Sequence, residues 1–456
     1  MSEAIDEAPS ADFAPSPLSR EALAHAFADL HPPLSHDAAK VEAERCYFCH
    51  DAPCVTACPT AIDIPGFIRG IVTGNMTGAG QRILDANILG GTCARVCPTE
   101  ILCEGACVRT AQQGKPVEIG ALQRVATDHV FAQAAHPFTR PAETGRHVAV
   151  VGAGPAGLSC AHALARQGHD VTIFESRPKP GGLNEFGIAA YKMADDFAAR
   201  EVEFVLDIGG ITIVNERTLG RDLHLSQLRV EYDAVFLGIG QAGVKSLALE
   251  AESLPGIMNA VDFIAALRQS GDFATVPVGR RVVVIGGGNT AIDAATQAKR
   301  LGAEVVTLVY RRGRAEMSAT TAEQDWAQTN NVAFRFWAAP VGFEGEDHVQ
   351  RVTFARMAPS VGGGLQPTGA QFSLEADMVL KAVGQNFQQE FHDIAPDINS
   401  GRIVIDPVKR QTSIPGVFAG GDCVEGHDLT VQAVEDGKRA ARGIAAFLAE
   451  GVTDRG

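Results

Sequence analysis

Eight of the ten cysteines fall between Cys46 and Cys107, and their spacing is the strongest chemical signal in the chain. The first run is Cys46-x2-Cys49-x4-Cys54-x3-Cys58-Pro59, and the second is Cys93-x3-Cys97-Pro98 followed by Cys103-x3-Cys107. Thiolates are soft ligands, so such a field suits iron–sulfur clusters or zinc. Structural zinc usually shows paired C-x2-C knuckles, and these are not repeated here. In two-cluster chains, closely spaced cysteines wrap one cubane and the cysteine before a proline serves the other. That rule gives Cys46, Cys49 and Cys54 to one cluster, with Cys107 crossing back to complete it. Cys58, Cys97 and Cys103 then go to a second cluster, and counting thiolates makes Cys93 its fourth ligand. Cys160 and Cys423 read as structural.

Two glycine turns carry a second kind of chemistry. Gly152-x-Gly154-Pro155-Ala156-Gly157 follows the apolar run HVAVV and precedes LSCAHALARQG. Glycines between a strand and a helix bring backbone N–H groups against a pyrophosphate at the helix start. The next strand ends at Glu175, eighteen residues after Gly157, where a carboxylate accepts from a ribose diol and repels a 2′-phosphate. Gly286-x-Gly288-Asn289-Thr290-Ala291 repeats the arrangement after RVVVI. Where the first unit has Glu175, the second has Arg311 and Arg312, with Arg314 close behind. Guanidinium groups there suit a 2′-phosphate. The first turn therefore reads as an FAD site and the second as an NAD(P)H site, with NADPH favoured.

A third signal lies near the C-terminus, where TSIPGVFAGGD ends in Gly421-Asp422. An acid at a strand end can take the ribityl hydroxyls of FAD. Thr430, Val431, Gln432 and Ala433 then open a helix whose N–H groups suit the anionic reduced flavin.

The elements that position these residues follow from composition and punctuation. The chain has 456 residues, 46% of them hydrophobic, with 48 glycines, 6% aromatics and a net charge of -15. That length and mix suit about three α/β domains. The acidic balance argues against nucleic-acid and anionic-membrane binding. No run of 18 apolar residues predicts a transmembrane helix. The acidic opening MSEAIDEAPSADFAPSP does not read as a signal peptide, and the expected location is cytoplasmic. HPFTRPAETG, residues 136–145, reads as a linker. The predicted division is a tail with one short helix (1–40), a helical iron–sulfur domain (41–140), and an FAD domain in two parts (145–278 and 385–456). An NAD(P)H domain (279–384) is inserted between those parts, with Ala382–Gln385 as the crossover. The fold class is α/β: an N-terminal α-helical domain followed by two Rossmann-like domains.

The motifs RCYFCHDAPCVTACPT, GGTCARVCPTEILCEGAC, IGALQRVATD, VGAGPAGLSCA, GGGNTAIDAA and AGGDCVEG resemble the glutamate synthase small-subunit family. They are closer still to the N-terminal half of dihydropyrimidine dehydrogenase and its bacterial electron-input subunits. The resemblance covers residues 41–450 and implies FAD, two 4Fe–4S clusters and a nicotinamide cofactor. It adds the Gly-Gly turn Gly181, Gly182 and Leu183 to the flavin-binding residues. It also gives the second cluster Cys58, Cys97, Cys103 and Gln123, the last from Ile119-Gly120-Ala121-Leu122-Gln123, and leaves Cys93 unligated.

The implied activity is that of an NAD(P)-dependent flavin and iron–sulfur oxidoreductase. NAD(P)H passes a hydride to FAD, and electrons leave singly through the clusters, with no catalytic side chain. No segment remains for a pyrimidine-reducing FMN barrel, so a partner subunit carrying FMN and iron–sulfur clusters is expected. That partner would reduce uracil or thymine to the 5,6-dihydro form. The alternatives are electron input to a glutamate synthase large subunit and a standalone NAD(P)H:ferredoxin-type module. Two departures from the family pattern stand out: Arg311 and Arg312 in a branch that generally uses NADH, and Gly187-Ile188-Ala189 in place of Gly-Ile-Pro.

Overall fold

The computed structural model describes residues 16–133, 135–360, 362–388 and 391–450. Most of the acidic opening segment lies outside the described residues. The chain forms two compact units. The larger comprises His31–Glu185, Asp195–Gly243 and the described residues after 385; the smaller comprises residues 16–30, Phe186–Ala194 and Val244–Gln385.

In the larger unit, the helices His36–Glu44, Ile64–Val72, Met76–Ala86, Gly90–Val96 and Ile119–Phe131 carry the cysteine loops between them. Three of them begin on side chains suited to the task. Ser35 accepts from the Ala38 N–H, Asp63 from Gly66 and Asn75 from Gly78, satisfying donors that a helix start leaves bare. Ile64, Phe67, Ile68 and Ile71 recur at helical spacing and are all buried. Truncating the wholly buried Phe67 to alanine would cost roughly 3–5 kcal/mol.

The same unit contains a five-stranded parallel sheet in the order Val417–Ala419, Ala234–Leu237, His147–Val151, Asp170–Phe174, Ile211–Val214. After the exposed His147, VAVV is apolar and buried because helices cover both faces of such a sheet. The edge strand Val417–Ala419 pairs parallel with Ala234–Leu237, although the chain between them builds most of the other unit. The first dinucleotide fold is therefore split. Its closing helix, Thr430–Ala449, lies on Pro155–Ala165, where the Ser159 hydroxyl donates to the Val434 carbonyl at 2.8 Å.

The smaller unit repeats the pattern with the parallel order Ile257–Asn259, Met378–Ala382, Arg281–Gly286, Val305–Val309, Ala333–Arg335. An antiparallel three-stranded sheet, Ala338–Glu344, Arg351–Pro359 and Leu365–Glu375, is added to it. The expected N-terminal helix spans Arg20–Ala26, capped by Ser19, and places Leu23 and Phe27 in this unit's core.

Candidate redox site

Cys46, Cys49, Cys54 and Cys107 line one cavity with apolar walls that include Ile64, Ile68, Val117 and Ile119. Burial, reinforced by the neighbouring Cys46 and Cys107, pushes the Cys54 thiol up to about 11. Burial also pushes up Cys46, whose sulfur accepts from the Phe48 N–H at 3.4 Å. Such N–H···S contacts are among the levers on a cluster's potential.

A second group forms from Cys58, Cys93, Cys97 and Cys103. A hydrogen bond between the Cys93 and Cys97 thiols, then burial, then Cys103 and Cys58 push Cys97 well up. Burial does the same for Cys103, with Glu104 and Cys58 adding to it. Cys93 is buried and accepts from Asn87 Nδ2 at 3.2 Å. Gln123 is buried on Ile119–Phe131, and its Nε2 donates to the Gly90 carbonyl at 2.7 Å. Cys93 thus lies on the helix Gly90–Val96 and Gln123 bonds its first residue, while no motif announces Asn87.

Among the described residues, no three cysteine, histidine, aspartate or glutamate side chains converge as they would on a single ion. Structural zinc draws four ligands to about 2.3 Å from one point. A cubane instead takes one thiolate on each iron, so its ligands surround a volume. Four thiols around one apolar-walled cavity are the donor set that a cubane takes.

The first glycine turn is built for close approach. Gly152 has φ +100°, and a Cβ on Gly157 would lie 1.9 Å from the Gly152 carbonyl oxygen. Pro155 follows the N-cap Gly154, so the first N–H groups of Pro155–Ala165 are free to face an anion. Ala156 and Leu158 continue this helix into the core. The Gly181 N–H donates to the Ala153 carbonyl at 2.9 Å, and Gly182 lies against Gly154. Leu183 opens the short helix Leu183–Phe186 and is 38% exposed. Glu175 is buried, with Oε2 accepting from the Ala153 N–H at 2.8 Å and Oε1 from the Arg177 N–H at 2.8 Å.

Asp422 is half-buried, and burial beside Asp428 pushes its carboxyl up to about 6. The preceding Gly421 donates its N–H to Asp436, which also accepts from Gln432 Nε2. Ala433 lies beneath this turn, in the first turn of Thr430–Ala449. The structure thus brings Gly152, Gly154, Gly157, Gly181, Gly182, Glu175 and Gly421 into one part of one unit.

The second turn leads into the helix Asn289–Arg300 through its N-cap Gly288. A Cβ on Gly286 would lie 2.3 Å from the Ala382 carbonyl oxygen. Asn289 and Thr290 form the open first turn, while Ala291 is wholly buried. Arg311 and Arg312 follow the strand Val305–Val309 and are exposed. Arg314 is already engaged: it donates to Gln324 and pairs with Asp325 at 2.5 Å. It is therefore not part of the free guanidinium pair.

A family model described as pyridine nucleotide-disulphide oxidoreductase matches residues 146–437, which span both glycine turns and the Gly421-Asp422 closure. The chain belongs to that family. Residues 23–135 match the model for dihydropyrimidine dehydrogenase domain II, 4Fe-4S cluster. The chain is 37% identical over 409 residues to the NAD-dependent dihydropyrimidine dehydrogenase subunit PreT of Salmonella typhimurium, covering 90% of this chain and 94% of that one. It is 35% identical over 446 residues to the NADPH glutamate synthase small chain of Escherichia coli, covering 92% and 94%. The fold matches that of Mycobacterium tuberculosis FprA in complex with NADPH, with a TM-score of 0.56 over 67% of this chain and 85% of that one, at 22% identity.

Membership of the pyridine nucleotide-disulphide oxidoreductases, with the cluster domain attached, makes this an NAD(P)-dependent oxidoreductase with FAD and 4Fe–4S clusters as cofactors. The residues present fit all three groups: thiols around a cavity, a glycine cradle with Asp422 beside it, and a second helix start with free arginines. Among the described residues, no helix is long and apolar enough to cross a membrane.

The family motifs do not announce every buried charge. Lys192 lies between Asp293 at 2.7 Å and Glu323 at 2.6 Å in the smaller unit. Burial opposes its charge, yet the two carboxylates and Tyr191 hold it above its ordinary value. Asp293 belongs to the helix that the second glycine turn opens, so this pair braces the nucleotide-binding turn from behind.

Proposed function

We propose that the chain is the electron-input subunit of a dihydropyrimidine dehydrogenase. It would draw reducing equivalents from NAD(P)H and deliver single electrons to an FMN-containing partner that reduces uracil or thymine. The observation that carries this reading is the pairing of two thiol groups with a flavin cradle in one unit, with Gln123 buried and bonded to Gly90, the residue that opens the helix carrying Cys93. The relative named dihydropyrimidine dehydrogenase subunit PreT, matched over 94% of its length, supports it.

In this reading Cys46, Cys49, Cys54 and Cys107 hold one cluster; Cys58, Cys97, Cys103 and Gln123 hold the other, leaving Cys93 as a buried neighbour. Bound FAD supplies the conversion of a two-electron hydride into single electrons. The residues of the chain align and exclude. Gly152, Gly154, Gly157 and the start of Pro155–Ala165 receive the pyrophosphate, with Pro155 and Ala156 at the helix entry. Glu175 fixes the ribose end of the turn, and Asp422 takes sugar hydroxyls. The Gly181-Gly182-Leu183 turn closes over Gly154, and Gln432 and Ala433 support the far side. Gly286, Gly288, Asn289, Thr290 and Ala291 form the NAD(P)H turn, with Arg311 and Arg312 on a 2′-phosphate. No side chain is assigned as a general base.

The proposed division has the cluster domain at 41–140, the FAD domain at 145–243 and from 386 on, and the nucleotide domain at 244–385; the expected boundary at 278 moves back because the strand Ile257–Asn259 pairs in the smaller unit's sheet. Cluster ligation by seven of the ten cysteines requires them reduced, which supports a reducing, cytoplasmic setting. A second reading, electron input to a glutamate synthase large subunit, draws on Arg311 and Arg312 and on the NADPH glutamate synthase small chain relative. Purification of the chain with its native partner decides between them. NAD(P)H-dependent consumption of uracil by the complex is expected, and glutamate formation from 2-oxoglutarate and glutamine in its place sinks the first reading.

A further inference from the structure

Glu201 lies on the helix Phe197–Leu206 and is 2% exposed. Its carboxylate accepts from the Thr92 backbone N–H at 2.9 Å and also from the Thr92 hydroxyl. A Cβ on Gly91 would lie 2.9 Å from Glu201 Oε1, so the carboxylate is pressed against the first turn of Gly90–Val96. Gln123 holds that same turn through the Gly90 carbonyl, and Cys97 ends the helix. Neither nucleotide binding nor thiolate ligation uses Glu201.

The charges around it are few. Arg95, from Gly90–Val96, is the nearest cation, but it pairs with Asp128 at 2.7 Å and its guanidinium lies 3.5 Å over the Phe197 ring. Asp128 also pairs with Arg124 at 3.4 Å. The helix Pro155–Ala165 packs against Phe197–Leu206 as well, and its His162 is held uncharged by burial. Burial pushes the Glu201 carboxyl up to about 7, against the Thr92 bonds that favour its charge.

We propose that Glu201 is a positioning residue for the second cluster and takes up a proton when that cluster takes up an electron. An electron placed among Cys58, Cys97 and Cys103 adds negative charge at the end of the helix whose first turn the buried Glu201 carboxylate holds, in surroundings where repulsion is poorly screened. A proton from solvent on a Glu201 oxygen cancels that charge. The balance is one electron from the flavin and one proton from water in, with no bond to carbon made or broken. Protonation weakens the hold on Thr92 only in part, because a neutral carboxyl still accepts from the backbone N–H. The inference rests on the cluster assignment given above.

The test is a redox titration of the holoprotein followed by electron paramagnetic resonance, repeated across the neutral pH range, after iron and sulfide have been counted. A native protein without a second cluster overturns the assignment and the inference with it. With both clusters present, one potential is expected to fall with rising pH, by no more than about 59 mV per tenfold change in proton concentration, while the other stays level. Glu201→Gln with its iron intact is expected to raise that one potential and flatten its slope. An unchanged potential and slope overturn the inference and leave the assignment standing. If Glu201→Gln does not retain iron, Thr92→Val replaces it. Loss of the hydroxyl donor is expected to move the break in the slope to higher pH, and an unmoved break overturns the inference.

Discussion

Gly437 faces Ala156 so closely that a Cβ on Gly437 would lie 2.1 Å from the Ala156 carbonyl oxygen. The contact joins the last long helix to the helix that opens the flavin cradle. Gly437→Ala is expected to push the helices apart and to cost about 1–3 kcal/mol. Thermal unfolding reads the loss, and the flavin-to-protein ratio of the purified variant should fall with it. Full flavin content at unchanged stability would show that the cradle tolerates the gap.

Asp422 carries a pH dependence of known sign. Its folded value, about 6, lies above its ordinary one, so the folded apoprotein holds this proton more tightly than the unfolded chain. The resulting stability is full below about pH 4 and is lost as pH rises through the folded value. Asp422→Asn keeps the shape without the charge. The apoprotein of that variant is expected to melt higher than the native one at neutral pH, yet to retain less FAD. Chemical denaturation of both apoproteins, with flavin titration alongside, checks the two halves separately.

Arg311 and Arg312 divide binding by nucleotide. A double Ala variant is expected to weaken NADPH about ten- to a hundredfold, the loss of one or two charge-assisted contacts, and to leave NADH within about twofold. Steady-state reduction of a dye acceptor with each nucleotide measures it. Equal losses for both would remove these arginines from the 2′-phosphate.

Cys93 and Gln123 are the two candidates proposed for the fourth ligand of the second cluster. Cys93→Ala is expected to keep both clusters, whereas Gln123→Leu is expected to lose one or to convert it to a form with fewer irons. Iron and acid-labile sulfide per chain report both variants. Loss of iron in Cys93→Ala alone reverses the assignment.

What was legible in the sequence was chemistry written in short spacings. The two glycine turns, Glu175 and the cysteine runs each lie within a few dozen residues, and periodicity places the strands and helices around them. The split of the flavin fold was legible too, because Gly421-Asp422 makes sense only beside a distant first half. Contacts between remote segments were not. Nothing near Thr92 announces that Glu201 will accept its hydrogen bonds, and nothing near Asp293 announces Lys192. Arg314 stands close behind Arg311 and Arg312 in the sequence, yet Asp325, on the following helix, claims it. The fourth ligand of the second cluster stays open because Gln123, from another helix, bonds the first residue of the helix that carries Cys93.

The late return of Val417–Ala419 to the sheet has a consequence for biogenesis. On the ribosome, the strand His147–Val151 and its glycine turn emerge long before the edge strand that flanks Ala234–Leu237 and the helix that seals the turn. Until then the nascent sheet lacks its outer strand and the adjoining helix lacks its lid, so sticky surface stays open. The smaller unit has its five-stranded and three-stranded sheets complete by Ala382 and can condense first. Flavin loading is thereby postponed until Val417–Ala419 and Thr430–Ala449 have been made.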